Sequence, residues 1–427
     1  MFGRIPWLLG ILLLGGISSV GSGEEWKSGF PDIAEKPTFS SDVSRGWEIT
    51  LPEGNSIGWW SRTEMVTPGK GYTFSGLADW QQTKKQRPGN DLMMVLTWRL
   101  ANGKMFQRDY VNFEDGEGIR NFRQTFNAPA DCTTVEWQCV FKWQPGTVFF
   151  REMRMEETEP IAPRKVWLVA TNTFQATPNT IEGNLQQIEK TLQKIQQSVK
   201  EPDLILFSEC VTDSGTPGTP QERAEPLEGP TFQKMSTYAK AMRTWIVGNI
   251  HEITPEGTLH NTAIIIDREG KLHGIYRKVH LTMSEANSGI IPGREFPVFT
   301  LDFGKIGIVI CWDNWFSETA KLLRREGAEV LLFPLAGYGS RERREKVWSA
   351  RAIDTGIPML ISTRQHHLPS GIVDRDGVWL SETMEENGFA AVELDLNERK
   401  PIFWLSVGPA QGDPYQLFIH ESRAEIK

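Results

Sequence analysis

Three residues far apart in the chain, Glu209, Lys278 and Cys311, are of types that together perform nucleophilic acyl chemistry. Each closes an apolar run: "LILFSE" ends on Glu209, "HGIYRK" on Lys278 and "IGIVIC" on Cys311. A thiol is a weak nucleophile until it loses its proton, so it needs a neighbouring base or cation. A carboxylate can take that proton, and is a better base where burial raises its pKa. An ammonium favours the thiolate and can hold the oxyanion that forms on an attacked carbonyl. The chemistry expected of the set is acyl transfer through a thioester, then hydrolysis. Taken singly, each residue has a structural explanation: a buried small thiol, a solvated lysine, a structural acid. The functional reading rests on all three standing at strand ends, where α/β domains build their sites.

The surrounding segments predict the elements that would carry them. "VWLVATNTF" reads as a buried strand, and residues 179–199 follow with Ile181, Leu185, Ile188, Leu192, Ile195 and Val199 on one helical face. "DLILFSEC" is a second buried strand, and a helix near 231–243 leads into "TWIVGNIHE". "NTAIIIDREGKLHGIYRK" reads as a hairpin turning at Asp267-Arg268-Glu269-Gly270. Then come "KIGIVICW", a helix over 317–327, "EVLLFPLA", a helix over 341–355 and "PMLISTRQ". Strands alternating with helices of this length imply a layered α/β domain.

Residues 24–158 have a different texture. Eight of the sixteen tryptophans fall here, and strict alternation in "VEWQCVFKW" puts Val135, Trp137, Cys139, Phe141 and Trp143 on one face. "LMMVLTWRL" is a more continuous strand before the turn Asn102-Gly103, and "WEITL", "YTFSGLADW", "NFRQTF" and "TVFFREMRM" complete an all-β sandwich of jelly-roll type. Its texture resembles the carbohydrate-binding-module-like domains of secreted enzymes. Trp59, Trp60 and Trp80 are its sugar-stacking candidates, against the plainer reading that they are core. "EETEPIAPRK" serves as the linker.

At 427 residues the chain suggests two domains. Arg4, the apolar run Trp7–Leu14 and the small residues through Gly23 describe a secretory signal peptide over residues 1–22, cut after Ser22, with an uncleaved anchor as the alternative. Secreted or periplasmic localisation follows as the expectation. Removing the leader takes away Arg4 and no acid, so the net charge moves from −8 to −9, which disfavours nucleic acid as a partner. Four cysteines do not make a disulfide scaffold. On one strand, Cys132 and Cys139 would stand about 23 Å apart, beyond bridging; a bridge needs Cys132 in a loop that folds back.

Residues about 165–410 resemble the nitrilase superfamily of carbon–nitrogen hydrolases. The matches are Glu209 in "LFSEC", Lys278 in "YRKVHL" and Cys311 in "GIVICWDNWFSE", together with the approach "IIPGREFPVFTLDFGKIGIVIC". The resemblance implies a four-layer α–β–β–α sandwich over 164–427, with Glu209 as general base, Lys278 as oxyanion stabiliser and Cys311 as nucleophile. It further implies Glu285 as a positioning carboxylate and the Trp312 N–H as a second oxyanion donor. Asp313, Asn314 and Trp315 become substrate-pocket candidates, and relatives lead one to expect a homo-oligomer through the α/β domain, with residues 401–423 as a contact. Ser208 departs from the family, which commonly has proline there. Asp313, Phe316 and Glu318 keep the amidase and carbamoylase pattern better than the nitrile-hydrolysing one.

No cofactor is implied. His280 is read as structural, since Glu209 already supplies a base, and Cys210 as core. His366-His367 lacks a third metal ligand, and H-E-x-x-H, P-loop and dinucleotide motifs are missing. Arg341–Arg344 is read as the solvated start of a helix. The function expected is an amidase-type hydrolase of small amide-like substrates. The rivals are a nitrile hydrolase, an N-carbamoyl hydrolase or an acyltransferase of the same superfamily, and a carbohydrate-binding protein on a degenerate hydrolase scaffold.

Overall fold

The computed structural model describes residues 26–31, 35–42, 44–53, 56–83, 91–111, 113, 118–213, 215–337, 339–398, 401–404 and 408–411. The expected leader lies outside the described residues, as does most of the expected contact segment 401–423. The chain divides into two compact units at Ala162/Pro163. The second unit runs to Glu398, and the strands Pro401–Trp404 and Gly408–Gln411 group with the first, where the sequence reading had carried the second domain on to 427.

The first unit is built from antiparallel strands. One five-stranded sheet has the order Lys27–Gly29, Ile57–Met65, Cys132–Lys142, Leu92–Leu100, Met105–Val111. The other has the order Thr38–Asp42, Gly46–Leu51, Gly146–Thr158, Gly71–Thr83, Ile119–Asn127. Alternation decides which face is buried: Val135, Trp137, Cys139 and Phe141 are fully buried in the one apolar core the two sheets share. Trp137 meets Trp26 at 4.9 Å, tilted, and Phe74 at 5.5 Å, edge to face, the latter an arrangement that suits ring quadrupoles. "LMMVLTWRL" is apolar on both faces because Met94, Leu96 and Trp98 join that core while Met93 and Val95 pack outside with Tyr110 and Val140. Trp60 and Trp80 are 1% and 0% exposed, so the sugar-stacking reading fails for both; Trp59 is half-buried.

In the second unit, one six-stranded sheet runs Leu272–Arg277, Leu259–Ile266, Trp245–Ile253, Leu204–Leu206, Lys165–Asn172, Gly388–Asp395. A second runs Val298–Thr300, Lys305–Ile308, Val330–Pro334, Met359–Ser362, Ser370–Val373, Trp379–Thr383. Three strands are parallel in each, flanked by antiparallel ones. Leu168, Leu206, Val247 and Ile265 of the first sheet share a cluster with Ile306, Ile308, Leu332 and Leu360 of the second. Ile188, Leu192 and Ile195 of the helix Ile181–Ser198, with Met235 and Ala239 of Pro230–Met242, cover the first sheet's other face. Thr180 caps the first of these helices, its Oγ1 accepting from the Gly183 N–H at 3.1 Å. Leu323 of Ser317–Arg325, with Trp348 and Ala352 of Arg341–Thr355, covers the second sheet. Each fully buried aliphatic side chain on these faces contributes about 1.5–3 kcal/mol.

Cys132 and Cys139 are both buried, free and on the single strand Cys132–Lys142. A thiol titration without reductant should find four thiols per unfolded chain; a count of two would mean that the two are bridged.

Candidate active site

The three sequence-predicted residues line one open cavity of about 250 Å³, though not all at strand ends. Lys278 follows directly on the strand Leu272–Arg277. Glu209 stands three residues beyond Leu204–Leu206, and Cys311 begins a short 3₁₀ turn, Cys311–Trp315, three residues beyond Lys305–Ile308. The strand Lys305–Ile308 ends because Ile310 N–H bonds to Asp313 Oδ2, 2.9 Å, instead of to a neighbouring strand. The thiol is thereby lifted off the sheet with φ of +42°, a left-handed conformation that costs a non-glycine residue about 1–3 kcal/mol and aims its side chain at the cavity.

Lys278 is 1% exposed and Glu209 5%. The Lys278 Nζ donates to Glu209 Oε1 at 2.8 Å and to Glu285 Oε1 and Oε2 at 2.8 and 2.9 Å. Glu285 reaches it because Thr282 and Glu285 form a capping box at the helix Met283–Asn287: Thr282 N–H donates to Glu285 Oε2 at 2.8 Å, and Thr282 Oγ1 accepts from Glu285 N–H at 3.3 Å. Two groups missed by the sequence reading complete the cluster. Asn261 Nδ2 donates to Glu209 Oε1 (2.9 Å) and to Glu285 Oε1 (2.8 Å). The Ala336 N–H, from the loop that follows the strand Val330–Pro334 of the other sheet, donates to Glu209 Oε2 at 2.8 Å. Asn261 carried a signal, a polar residue opening the apolar run "NTAIII"; a backbone N–H carries none.

Burial alone would raise the Glu209 carboxyl, but the Lys278 charge and the hydrogen bonds outweigh it and hold it down at about 2. The direction is opposite to the raised base that burial alone would give. Burial disfavours the Lys278 ammonium, yet Glu209, Cys311 and Glu285 together push its pKa up. Burial and the Glu209 charge drive the Cys311 thiol up to about 12, against the pull of Lys278. The resting site is therefore carboxylate, ammonium and neutral thiol.

The pocket candidates after Cys311 divide. Asp313 is fully buried and does not line the cavity; it accepts from Tyr276 Oη (2.7 Å), Ile310 N–H (2.9 Å) and His280 N–H (2.8 Å). These bonds tie the Lys278 hairpin to the Cys311 turn, a structural role that leaves no free carboxylate for substrate. His280 pairs with Asp313 through Nδ1 at 3.0 Å and stacks on Phe316 at 4.0 Å. Asn314 is buried, its carbonyl accepting from Arg351 Nε at 3.1 Å. Trp315 lies beneath Arg343 and Arg344, so that pair of arginines is engaged and not merely solvated. Trp312 is 39% exposed, and among the described residues its N–H meets no protein acceptor. Ser208 is fully buried with its hydroxyl unpartnered among the described residues. His366 packs on Phe174 while His367 bonds the Gly339 carbonyl, so the two turn to different neighbours. Cys210, read as core, lines the cavity with His251.

Removing the cation tests this charge balance. Lys278→Met strands the buried Glu209 carboxylate beside the half-buried Glu285 and should cost about 3–5 kcal/mol near neutral pH in urea unfolding. In the native protein, Glu209 lends stability above its unfolded pKa and loses it as pH falls through about 2. In the variant, the unpaired Glu209 carboxylate takes up its proton at higher pH, so the stability gap should narrow towards pH 4. A gap that is constant with pH would contradict the balance.

A family model described as carbon-nitrogen hydrolase matches residues 168–402, more than half of the chain. A Schizosaccharomyces pombe protein described as "Probable nitrilase" is 30% identical over 213 residues, covering 47% of this chain and 78% of that protein. The N-carbamoylputrescine amidase of Arabidopsis thaliana is 34% identical over 157 residues, covering 34% of this chain and 52% of that protein. The crystal structure of Saccharomyces cerevisiae Nit3, a nitrilase-superfamily member, aligns with 54% of this chain and 90% of that one at 25% identity and a TM-score of 0.48. This chain belongs to the carbon-nitrogen hydrolase family of the nitrilase superfamily.

Proposed function

We propose that the second unit hydrolyses non-peptide carbon–nitrogen bonds, as an amidase does, through a thioester on Cys311. The observation that carries the reading is the junction of Glu209, Lys278 and Cys311 on one open cavity, with Lys278 held between Glu209 and Glu285. A neutral thiol beside a carboxylate cannot act as a preformed thiolate. Its proton passes to Glu209 as the sulfur–carbon bond forms. The oxyanion that grows on the carbonyl is met by the Lys278 ammonium and the backbone N–H of Trp312. Glu209 then gives the proton to the departing nitrogen. Water enters, loses a proton to Glu209 and cleaves the thioester, and the departing thiolate takes that proton back from Glu209 to restore the thiol.

The paired clusters on the two six-stranded sheets support reading this unit as a four-layer α–β–β–α sandwich, and the shared core of the first unit supports a β-sandwich. Export through the N-terminal leader remains part of the proposal. An amide or N-carbamoyl substrate is preferred over a nitrile because relatives include N-carbamoylputrescine amidases and the Cys311 turn keeps Asp313, Phe316 and Glu318.

Cys311→Ala should abolish turnover with an unchanged unfolding curve. Glu209→Gln should lower kcat by about 10⁴-fold or more, since such groups act as a unit. Incubation with a panel of amides, ureas and nitriles, followed by mass spectrometry of Cys311, should find the acyl or carbamoyl adduct of the true substrate class. Turnover by Cys311→Ala would end the mechanism.

A further inference from the structure

The cavity holds a second thiol with its own base. Cys210 directly follows Glu209, lines the same cavity and takes no part in the reaction above. Its Sγ lies 3.4 Å from His251 Nε2, and His251 Nδ1 lies 2.6 Å from Asp213 Oδ2. The Asp213 carboxylate accepts, so the proton of a neutral imidazole stands on Nδ1 and Nε2 is left as the ring's acceptor, 3.4 Å from the sulfur. Nucleophile, base and acid thus stand in mutual reach, with Asn249 Oδ1 also 3.3 Å from the sulfur, a grouping that can activate a weakly acidic nucleophile.

The same side chains do not suit a metal. They offer one ligand atom each within 4.8 Å of one another, but the 2.6 Å contact of Asp213 Oδ2 with Nδ1 engages the carboxylate with the ring. The backbone also resembles that of the first thiol. Cys210 has φ of +45° and Cys311 +42°, and each follows closely on a parallel strand of its own sheet. The Cys210 conformation is held by its N–H donating to Asn249 Oδ1 at 2.6 Å and by Arg364 donating to its carbonyl at 3.0 Å. Burial raises the Cys210 pKa, so the group rests as a thiol rather than as the thiolate that peroxide sensing requires.

We propose that Cys210 is a second nucleophile of this cavity, activated by His251 and Asp213, which accepts acyl groups from ester and thioester donors. The sulfur attacks the carbonyl carbon while its proton moves to His251 Nε2. The tetrahedral adduct then expels the donor's alkoxide or thiolate, which recovers that proton from His251. The products are an acyl thioester on Cys210 and a free alcohol or thiol. Where the donor is an acyl thioester on Cys311, the thiol released is Cys311 itself.

The test uses full-length Cys311→Ala protein, which isolates Cys210 from the main reaction, and p-nitrophenyl acetate. Peptide mass spectrometry should find one acetyl group, on Cys210. His251→Gln added to that background should slow acetylation about 100-fold, with circular dichroism melting checking that the fold is kept. Asp213→Asn, which retains the ring and loses only its orienting acid, should also slow it and gives the same reading should the His251 variant melt early. Absence of acetyl at Cys210, or an unchanged rate in a folded His251 or Asp213 variant, would overturn the proposal.

Discussion

One buried ammonium between two carboxylates governs this site. Lys278 has almost no contact with solvent, and charge without water is expensive unless it is matched. The match fixes everything around it. Glu285 must reach from a capped helix, Asn261 must steady both acids, and the loop after Val330–Pro334 must lend the Ala336 N–H to Glu209. Residues from four segments of sequence are therefore positioned by electrostatics to within hydrogen-bond reach, on elements that hydrophobic burial alone would hold only approximately.

The same cluster sets the protonation of the nucleophile. A lysine beside a cysteine suggests a stabilised thiolate, but Lys278 is already engaged by two carboxylates, and Glu209 opposes a second negative charge nearby. The thiol stays neutral until a carbonyl arrives to take its electrons. Asp313 serves the geometry: it joins the hairpin bearing Lys278 to the turn bearing Cys311.

Much of this was legible in the sequence, because its signals are local. Apolar runs of four or five residues marked the buried strands, the Ile181-to-Val199 spacing marked a helix face, and alternation marked the strand through Trp137. Strand ends were less legible. The regular strands end at Leu206 and Ile308, with one further sheet hydrogen bond each from Phe207 and Val309, whereas the apolar runs gave no sign of the turns to Glu209 and Cys311. Side-chain destinations were least legible: Asp313 looks like a pocket acid until its three backbone and hydroxyl donors are seen, and Trp80 looks like a platform until the core closes on it. Cys210 looked like core because nothing in its neighbourhood in sequence announces His251, forty-one residues on.

The most direct measurement of the charge balance is the rate of Cys311 alkylation by iodoacetamide as a function of pH, read by peptide mass spectrometry. A thiol held near 12 gives a rate that climbs about tenfold per pH unit from 6 to 10 with no plateau. A plateau with a midpoint at or below about 8.5, that of an ordinary or activated thiol, would contradict the account.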